Sequence, residues 1–445
     1  MTKIKDMTEG KPLGLMIRFS VPMLISNSLQ LLFVLADSAI IGRILGVDAF
    51  ASIGATARLH WFVFSTVLGI NQGFGVLFAQ RFGAKDFAGL RRAAVTAAYI
   101  AIVFGLVVGI GGVLINRQLL VIMLTPPELI DGSVTYLSWL WGGLVLVTCY
   151  NLCAMMLFSL GDSKTPLRAM IVATAVNIAF NLILIFPFGI AGVAAASLIA
   201  QTVAMAYCLL ALKKTGIFAG CGIRPDKTYV KPLLCLAAPL GFRNAVIEAG
   251  GLVVQRFVNV FGTEFVAGVA AAVRMYSLLM IAGGAIEGAI ATFVAQNFGA
   301  KNMARIKQGV RDGLKLALGS SVVIMLITLP LGRHILSLLI DGDAIQVNAV
   351  LDAGARHLLI MTIGLPFLYL LFLYRAALQG LGNTLIPMLS GFVELGLRIA
   401  SVVLLTGFFG YWGVHLSDPL AWPFAMAMLI ISYFLVYRRL TKSTV

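Results

Sequence analysis

The feature that most constrains this sequence is its series of long apolar segments separated by short polar stretches. A helix that crosses a bilayer needs roughly 20 consecutive apolar residues, and about twelve segments reach that length. Hydrophobic residues make up 60% of the chain and charged residues only 11%, too few to cover a soluble protein of 445 residues. The sequence therefore predicts an all-α integral membrane protein with twelve transmembrane helices.

The two halves of the chain repeat each other. Ala79–Lys85 recurs as Ala295–Lys301, 216 residues later, and Leu160–Asp162 recurs as Leu381–Asn383, 221 residues later. A polar stretch lies between the halves, so we predict an N-lobe at 1–212, a cytoplasmic linker at 213–233 and a C-lobe at 234–445. Six spans per lobe imply a pseudo-twofold axis along the membrane normal, a layout that favours alternating access over a fixed pore.

The basic residues predict the orientation. The net charge of +15 is scattered through the short connections rather than gathered in one patch, so we expect no nucleic acid partner. With the N-terminus in the cytoplasm, twenty-three of the 33 Lys and Arg residues fall on the cytoplasmic side, and both termini are predicted there. The opposite side receives only Arg43, Arg58, Arg117, Arg274, Arg333 and Arg356.

Sequence patterns of enzymes and nucleotide-driven pumps are missing. No HExxH, GxSxG or Walker A string occurs, and the four histidines are isolated from one another in the sequence. Asp341-Gly342-Asp343 lacks the remaining ligands of a calcium loop, so we interpret it as a solvated turn. We therefore expect no cofactor, and an ion gradient is the simplest source of energy.

Asp37 is the leading candidate for ion binding. A charged side chain within a span costs about 2.5 to 3.5 kcal/mol on insertion scales, which makes each one a functional hypothesis. Asp37 has no basic residue one helical turn before or after it. It could exchange a proton, whereas carbonyl and hydroxyl neighbours would suit sodium. The alternative is an acid that reaches the outer interface. Asn177 and Asn181 share a helix face and could add carbonyl oxygens or simply bond neighbouring helices.

The second half contains further charged candidates. Glu394 and Arg398 are one turn apart, and we predict an ion pair with a packing or gating role rather than substrate contact. Glu248, Glu287 and Gln255 are candidates for the lining of a central cleft. Acids in a cleft would attract cationic substrates, but pairing with intramembrane arginines is an equal alternative.

Several motifs together resemble the multidrug and toxic compound extrusion (MATE) family over nearly the whole chain. They are the repeated Gly-Ala-Lys turns, Gly161–Pro166, Arg375–Asn383 and Pro419–Trp422. The resemblance implies two six-helix lobes and an antiporter in which proton or sodium entry drives the export of amphipathic, often cationic compounds. It also implies a bacterial plasma membrane, and we expect the protein to act as a monomer.

The resemblance also implies a cation site in the N-lobe, as in the prokaryotic branch with a key acid on the first helix. Asp37 matches that acid, and the other matching positions are Asn151, Asn177 and Ser197. Where the family usually has a second acid, this sequence has Asn181, and Ser197 replaces a threonine. One carboxylate should bind sodium less tightly than two, which favours a proton while leaving sodium open.

Two further positions follow from the same resemblance. Pro22, fifteen residues before Asp37, matches the proline at which the first helix of the family can bend. Glu248 lies about one residue from the seventh-helix glutamate that couples transport in other branches.

Two alternative functions are retained. A lipid-linked precursor flippase of the same superfamily would need basic residues for a pyrophosphate, for which the chain offers Arg243, Arg256, Arg375 and Arg398. A membrane-embedded lipid-modifying enzyme is less favoured because no catalytic constellation is visible.

Overall fold

The computed structural model describes residues 5–220, 222, 224–337 and 344–442, so the Asp341–Asp343 turn lies outside it. The described chain is almost entirely helical, with twelve α-helices and a short 3₁₀ turn at Asn259–Phe261. The helices are α1 Pro12–Ile44, α2 Val47–Gly83, α3 Phe87–Ile122, α4 Pro127–Gly142, α5 Leu144–Ser159, α6 Lys164–Lys214, α7 Lys227–Val258, α8 Thr263–Gly299, α9 Met303–Ser337, α10 Ala344–Gly380, α11 Leu385–Phe409 and α12 Trp412–Lys442.

Three of these helices depart from a simple one-helix span. α4 and α5 together make one span that is bent by 47° at Gly143. α6 contains two spans, because Gly189 interrupts it with φ 55° and ψ −130°, a conformation that essentially only glycine adopts. Nine other helices are each long and apolar enough to cross a membrane. With the bent pair counted as one span and α6 as two, the described chain contains twelve spans, the number that the sequence predicts.

The sequence repeat is also a repeat of backbone geometry. Lys85 and Lys301 both have φ 57°. In both turns, three successive amides bond to carbonyls four, three and five residues earlier. Gly189 and Gly410, 221 residues apart, have φ 55° and 58°. The second half thus places α11 and α12 where the first half has the two arms of α6.

The chain forms two compact units. Unit 1 comprises Met1–Met7 and Val21–Gly241, and unit 2 comprises Thr8–Ser20 and Phe242–Val445. α1 is divided between them next to Pro22, which lies within the helix. A proline inside a helix removes one backbone hydrogen bond, which makes bending easier at that point. The bend at Pro22 stays a prediction. The lobe boundaries 1–212, 213–233 and 234–445 also stay predictions.

Unit 1 is held together by close packing at small residues. Lipid is as apolar as leucine, so helices in a membrane associate mainly through van der Waals contact. Gly69 and Gly73 lie one turn apart on α2, against the N-terminal half of α7. A Cβ at Gly69 would lie 2.5 Å from the carbonyl oxygen of Leu240, and one at Gly73 would overlap the backbone of Ala237. These two glycines therefore allow α2 and α7 to touch.

Candidate cation site

Two helices of unit 1 build a polar site. α1 contributes Asp37, and α6 contributes Asn177 and Asn181 before its break at Gly189 and Ser197 after it. The break lets the two arms of α6 lie side by side, so residues 20 positions apart can meet. The glycine at 192 makes this possible as well, because a Cβ there would overlap the carbonyl group of Leu184.

The carboxylate of Asp37 is held by neutral donors. Asn181 Nδ2 donates to Oδ1 at 2.5 Å, and Ser197 Oγ donates to Oδ2 at 3.1 Å. Asn181 Nδ2 also donates to Asn177 Oδ1 at 3.2 Å, and Asn177 Nδ2 lies 3.4 Å from Ser197 Oγ. Asp37 is 6% exposed and both asparagines are 0% exposed. The four side chains form one closed, buried network.

Nothing basic neutralises this carboxylate within the described residues. None of the ion pairs found there includes Asp37. The phenol of Tyr136 lies within electrostatic range of it but carries no positive charge. A charged group buried without an opposite charge is costly, so the site requires either a proton on Asp37 or a bound cation.

The side-chain oxygens of the site could accommodate a proton or a single monovalent ion. Asn181 Oδ1 is buried and has no hydrogen-bond partner. Rotation of that amide would present this oxygen to a protonated Asp37, because the two ends of an asparagine amide are exchangeable. Within the described part of the chain, no group of three or more His, Cys, Asp or Glu residues could hold a metal ion. The structure thus brings together Asp37, Asn177, Asn181 and Ser197, and their role in cation binding stays a prediction.

Asn151 is not part of this network in the described chain. It lies on α5 and its Nδ2 donates to the carbonyl oxygen of Val147, one turn earlier, at 2.8 Å. An amide that bonds to its own helix needs no partner across the bundle. Its role in cation binding stays a prediction from the resemblance.

Unit 2 contains a buried set of ion pairs between helices. Arg375 on α10 pairs with Glu394 on α11, and both side chains are at most 5% exposed. Arg398 Nε lies 2.5 Å from Asp418 Oδ1 on α12. Arg243 Nη1 on α7 lies 3.8 Å from Glu287 Oε1 on α8. Each buried arginine therefore faces a carboxylate on a different helix.

The predicted pairing of Glu394 with Arg398 is wrong. One turn of spacing permits a pair on one helix, but Arg375 and Asp418 on the neighbouring helices offer closer partners. Of the other candidates, Glu287 joins the arginine pairs, Glu248 is half-buried, and Gln255 Nε2 donates to Asn259 at 2.8 Å. Their contact with a substrate stays a prediction.

Sequence reasoning missed a pair of histidines. His357 on α10 and His415 on α12 lie with their Nδ1 atoms 3.0 Å apart, so one ring donates and the other accepts. Both are buried, at 3% and 0% exposure. They are 58 residues apart in the chain, and no sequence spacing indicates such a contact.

Comparison with known proteins agrees with this architecture. The sequence model of the MatE family matches residues 22–183 and 239–404, one match in each half. A probable multidrug resistance protein, YpnP of Bacillus subtilis, is 27% identical over 97% of each chain. The probable multidrug resistance protein NorM of Thermotoga maritima is 25% identical, covering 85% of this chain and 82% of its own. The multidrug export protein MepA of Staphylococcus aureus is 24% identical, with 96% and 95% covered.

Solved structures share the fold. A MATE protein crystallised in a bent conformation superposes with a TM-score of 0.90 at 19% identity, covering 100% of this chain and 99% of its own. A MOP superfamily transporter from Pyrococcus furiosus gives a TM-score of 0.87 at 18% identity, with 99% and 98% covered. Because the family model matches most of both halves, this chain belongs to the MatE family and is a membrane transporter of the multidrug and toxic compound extrusion type.

Proposed function

We propose that this transporter is a cation-coupled antiporter that exports amphipathic, often cationic organic compounds, with Asp37 as the coupling residue. The observation that carries the proposal is the buried Asp37 carboxylate, which is bonded by neutral donors only. Such a group can take up or release a cation when its surroundings change. The substrate class is drawn from the relatives, whose names describe multidrug resistance and export.

The proton is the favoured coupling ion. The Asp37 oxygens accept hydrogen bonds from an amide N–H and a hydroxyl, so the site satisfies a carboxylate mainly with donors. A sodium ion needs oxygen ligands instead, and here one carboxylate and two or three neutral oxygens would have to supply them. Asn181 in place of a second acid leaves the site one negative charge short. Sodium remains the alternative ion.

The proposed cycle links the occupancy of Asp37 to the conformation of unit 1. Asp37 takes up a cation from the outer side, which removes the charge that its hydrogen-bond donors stabilise. The network with Asn181 and Ser197 then rearranges, and the substrate leaves outward by alternating access. Release of the cation to the cytoplasm restores the network.

The test is efflux of a fluorescent lipophilic cation from cells that express the wild type or Asp37→Asn. Proton and sodium gradients are imposed separately. We expect efflux with one of the two gradients and its loss in Asp37→Asn, because an amide cannot take up the ion. Asp48→Asn is the matched control, since Asp48 is an exposed acid of the same unit. Efflux by Asp37→Asn at the wild-type rate would overturn the role of Asp37.

The flippase alternative is disfavoured by the pairing in unit 2. A pyrophosphate site needs arginines with surplus positive charge, whereas Arg375 lies against the buried Glu394 and Arg398 against the half-buried Asp418. Arg256 is exposed on its helix. A lipid-modifying enzyme is excluded, since the MatE family consists of transporters.

A further inference from the structure

Near its N-terminal end, α9 carries basic side chains on one exposed face. Lys307, Arg311 and Lys315 follow one another at four-residue intervals, which places them on one side of the helix. All three are exposed. The other side of the same turns is buried against the bundle, as at Ile306 and Val310. We refer to Lys307, Arg311 and Lys315 as the basic row.

The same face of α9 becomes apolar further along. Val322 is 39% exposed and Leu326 63% exposed, and they lie about two and three turns after Lys315. The helix has 35 residues and is about 50 Å long at 1.5 Å per residue, whereas the hydrocarbon core is roughly 30 Å thick. One end of α9 must therefore extend beyond the hydrocarbon. The change from basic to apolar side chains indicates the point at which the helix leaves the hydrocarbon core. We therefore place the basic row at the depth of the lipid headgroups.

Of the three charges of the basic row, the described residues balance only that of Lys315. In the described part of the chain, no acidic side chain forms an ion pair with Lys307 or Arg311, and Lys315 Nζ lies 3.4 Å from Asp312. Arg305 behaves differently: its guanidinium donates to the carbonyl oxygen of Gly10 at 2.7 Å. The basic row therefore keeps a surplus of positive charge at the membrane surface.

The other half of the molecule lacks the basic row. The 216-residue repeat pairs Lys307, Arg311 and Lys315 with Arg91, Val95 and Tyr99 on α3. Only Arg91 is basic, and its Nε donates to the carbonyl oxygen of Ile217 within unit 1. The fold itself does not require basic residues at all three of these positions, and the repeat does not account for the basic row.

We propose that the basic row is a binding site for the headgroup of an anionic phospholipid. Long Lys and Arg side chains can extend along the helix to the headgroups while the apolar face below contacts the acyl chains. Arg311, at the centre, offers two parallel N–H groups to the phosphodiester, and Lys307 and Lys315 add point charges on either side. With the proposed orientation the lipid belongs to the cytoplasmic leaflet.

The test is a titration of the delipidated full-length protein in detergent with phosphatidylglycerol or phosphatidylcholine, with bound lipids counted by native mass spectrometry. The variant is K307Q/R311Q/K315Q. We expect its affinity for the first phosphatidylglycerol to fall by at least about fivefold, the effect of removing one interfacial charge. Phosphatidylcholine binding should stay within a factor of two of the wild type, roughly the resolution of such a comparison.

A second variant, K213Q/K214Q/R224Q, removes the same charge at exposed positions that share no helix face. It should bind phosphatidylglycerol as the wild type does, and the charge-preserving K307R/R311K/K315R should also retain binding. Equal loss in both glutamine variants would show a net-charge effect and overturn the site. Unchanged phosphatidylglycerol binding in K307Q/R311Q/K315Q would do the same, as would displacement of the lipid by inorganic phosphate. Transport plays no part in the measurement, so its outcome is independent of the coupling proposal.

Discussion

At the scale of single residues, the chemistry of unit 1 depends on what faces Asp37. Its carboxylate is surrounded by amides and a hydroxyl, and Asn181 approaches most closely, at 2.5 Å. A residue in contact with the carboxylate decides how much negative charge the site offers to a cation. The identity of residue 181 should therefore set the preference between a proton and sodium.

Asn181→Asp should give transport a sodium dependence. Two carboxylates this close cannot both ionise unless a cation lies between them. The added charge contributes between about 1 and 4 kcal/mol of attraction, depending on screening, so we expect the apparent sodium affinity to rise about tenfold or more. Substrate efflux from proteoliposomes at increasing sodium concentration measures this.

The control for that variant is Asn151→Asp. Asn151 bonds to the carbonyl of Val147 on its own helix and not to Asp37. It should leave the sodium dependence as in the wild type. The same sodium response in both variants, or in neither, would contradict the geometry assigned to residue 181.

At the scale of helices, Asp86 caps α3 and tests how the repeated turns are stabilised. Its Oδ1 accepts from the Gly89 amide at 2.8 Å, and Oδ2 pairs with Arg81 at 2.9 Å. These contacts, the Gly89 amide first, hold the pKa of Asp86 below its usual value of 3.8. A lowered pKa stabilises the folded state at higher pH, and this contribution is lost as the pH falls below about 4.

Asp86→Ala should lower the free energy of unfolding by about 1 kcal/mol at neutral pH, the usual effect of removing a cap. The difference from the wild type should shrink below about pH 4. Thermal unfolding in detergent across pH measures both. Asp86→Asn should retain most of the stability, because Asn302 caps the equivalent helix by accepting from Arg305 at 3.0 Å. A loss as large as that of the alanine variant would contradict the capping role.

Gly73→Ala tests the contact of α2 with α7. The added Cβ would overlap the backbone of Ala237, which cannot move as a side chain can. We expect unfolding to become easier by about 1 to 3 kcal/mol, the usual cost of overpacking. Gly54→Ala on the same helix meets no atom within 4 Å and should be neutral or slightly stabilising. Equal effects of both variants on detergent unfolding would argue against close packing at Gly73.

The helices were predictable from the sequence because each span is long and apolar. The repeat indicates which helix of the first half corresponds to which helix of the second. The 47° bend at Gly143 was not predictable, since a single glycine in an apolar segment is compatible with a straight helix. The partner of Glu394 was also not predictable from the sequence. Spacing along one helix identifies neighbours on that helix, whereas Arg375 approaches from α10. For Asp37, the family resemblance supplied the neighbours that spacing alone could not.

At the scale of the whole molecule, the two units differ in how their buried charges are balanced. Unit 1 leaves Asp37 without a basic partner among the described residues, whereas unit 2 pairs its buried arginines with carboxylates on other helices. Paired charges hold helices in fixed positions, while an unpaired carboxylate can respond to an ion. This difference supports the proposal that ion coupling belongs to unit 1.

Arg375→Leu should test the pairing in unit 2. It leaves Glu394 buried without its partner, and breaking such a pair costs about 3 to 5 kcal/mol. The double variant R375L/E394L should recover most of that loss, because no unpaired charge remains. Thermal stability of the purified protein measures both. Failure of the double variant to recover stability would mean that the pair has a further role.

The most direct test of the account is ion movement by the purified protein in proteoliposomes. Internal pH and internal sodium are followed with separate dyes while an outward gradient of a lipophilic cation is imposed. The account predicts that substrate efflux moves one ion inward, in our expectation the proton. It also predicts that Asp37→Asn abolishes ion uptake and substrate efflux together. Substrate efflux with no movement of either ion, or ion-coupled efflux that persists in Asp37→Asn, would contradict it.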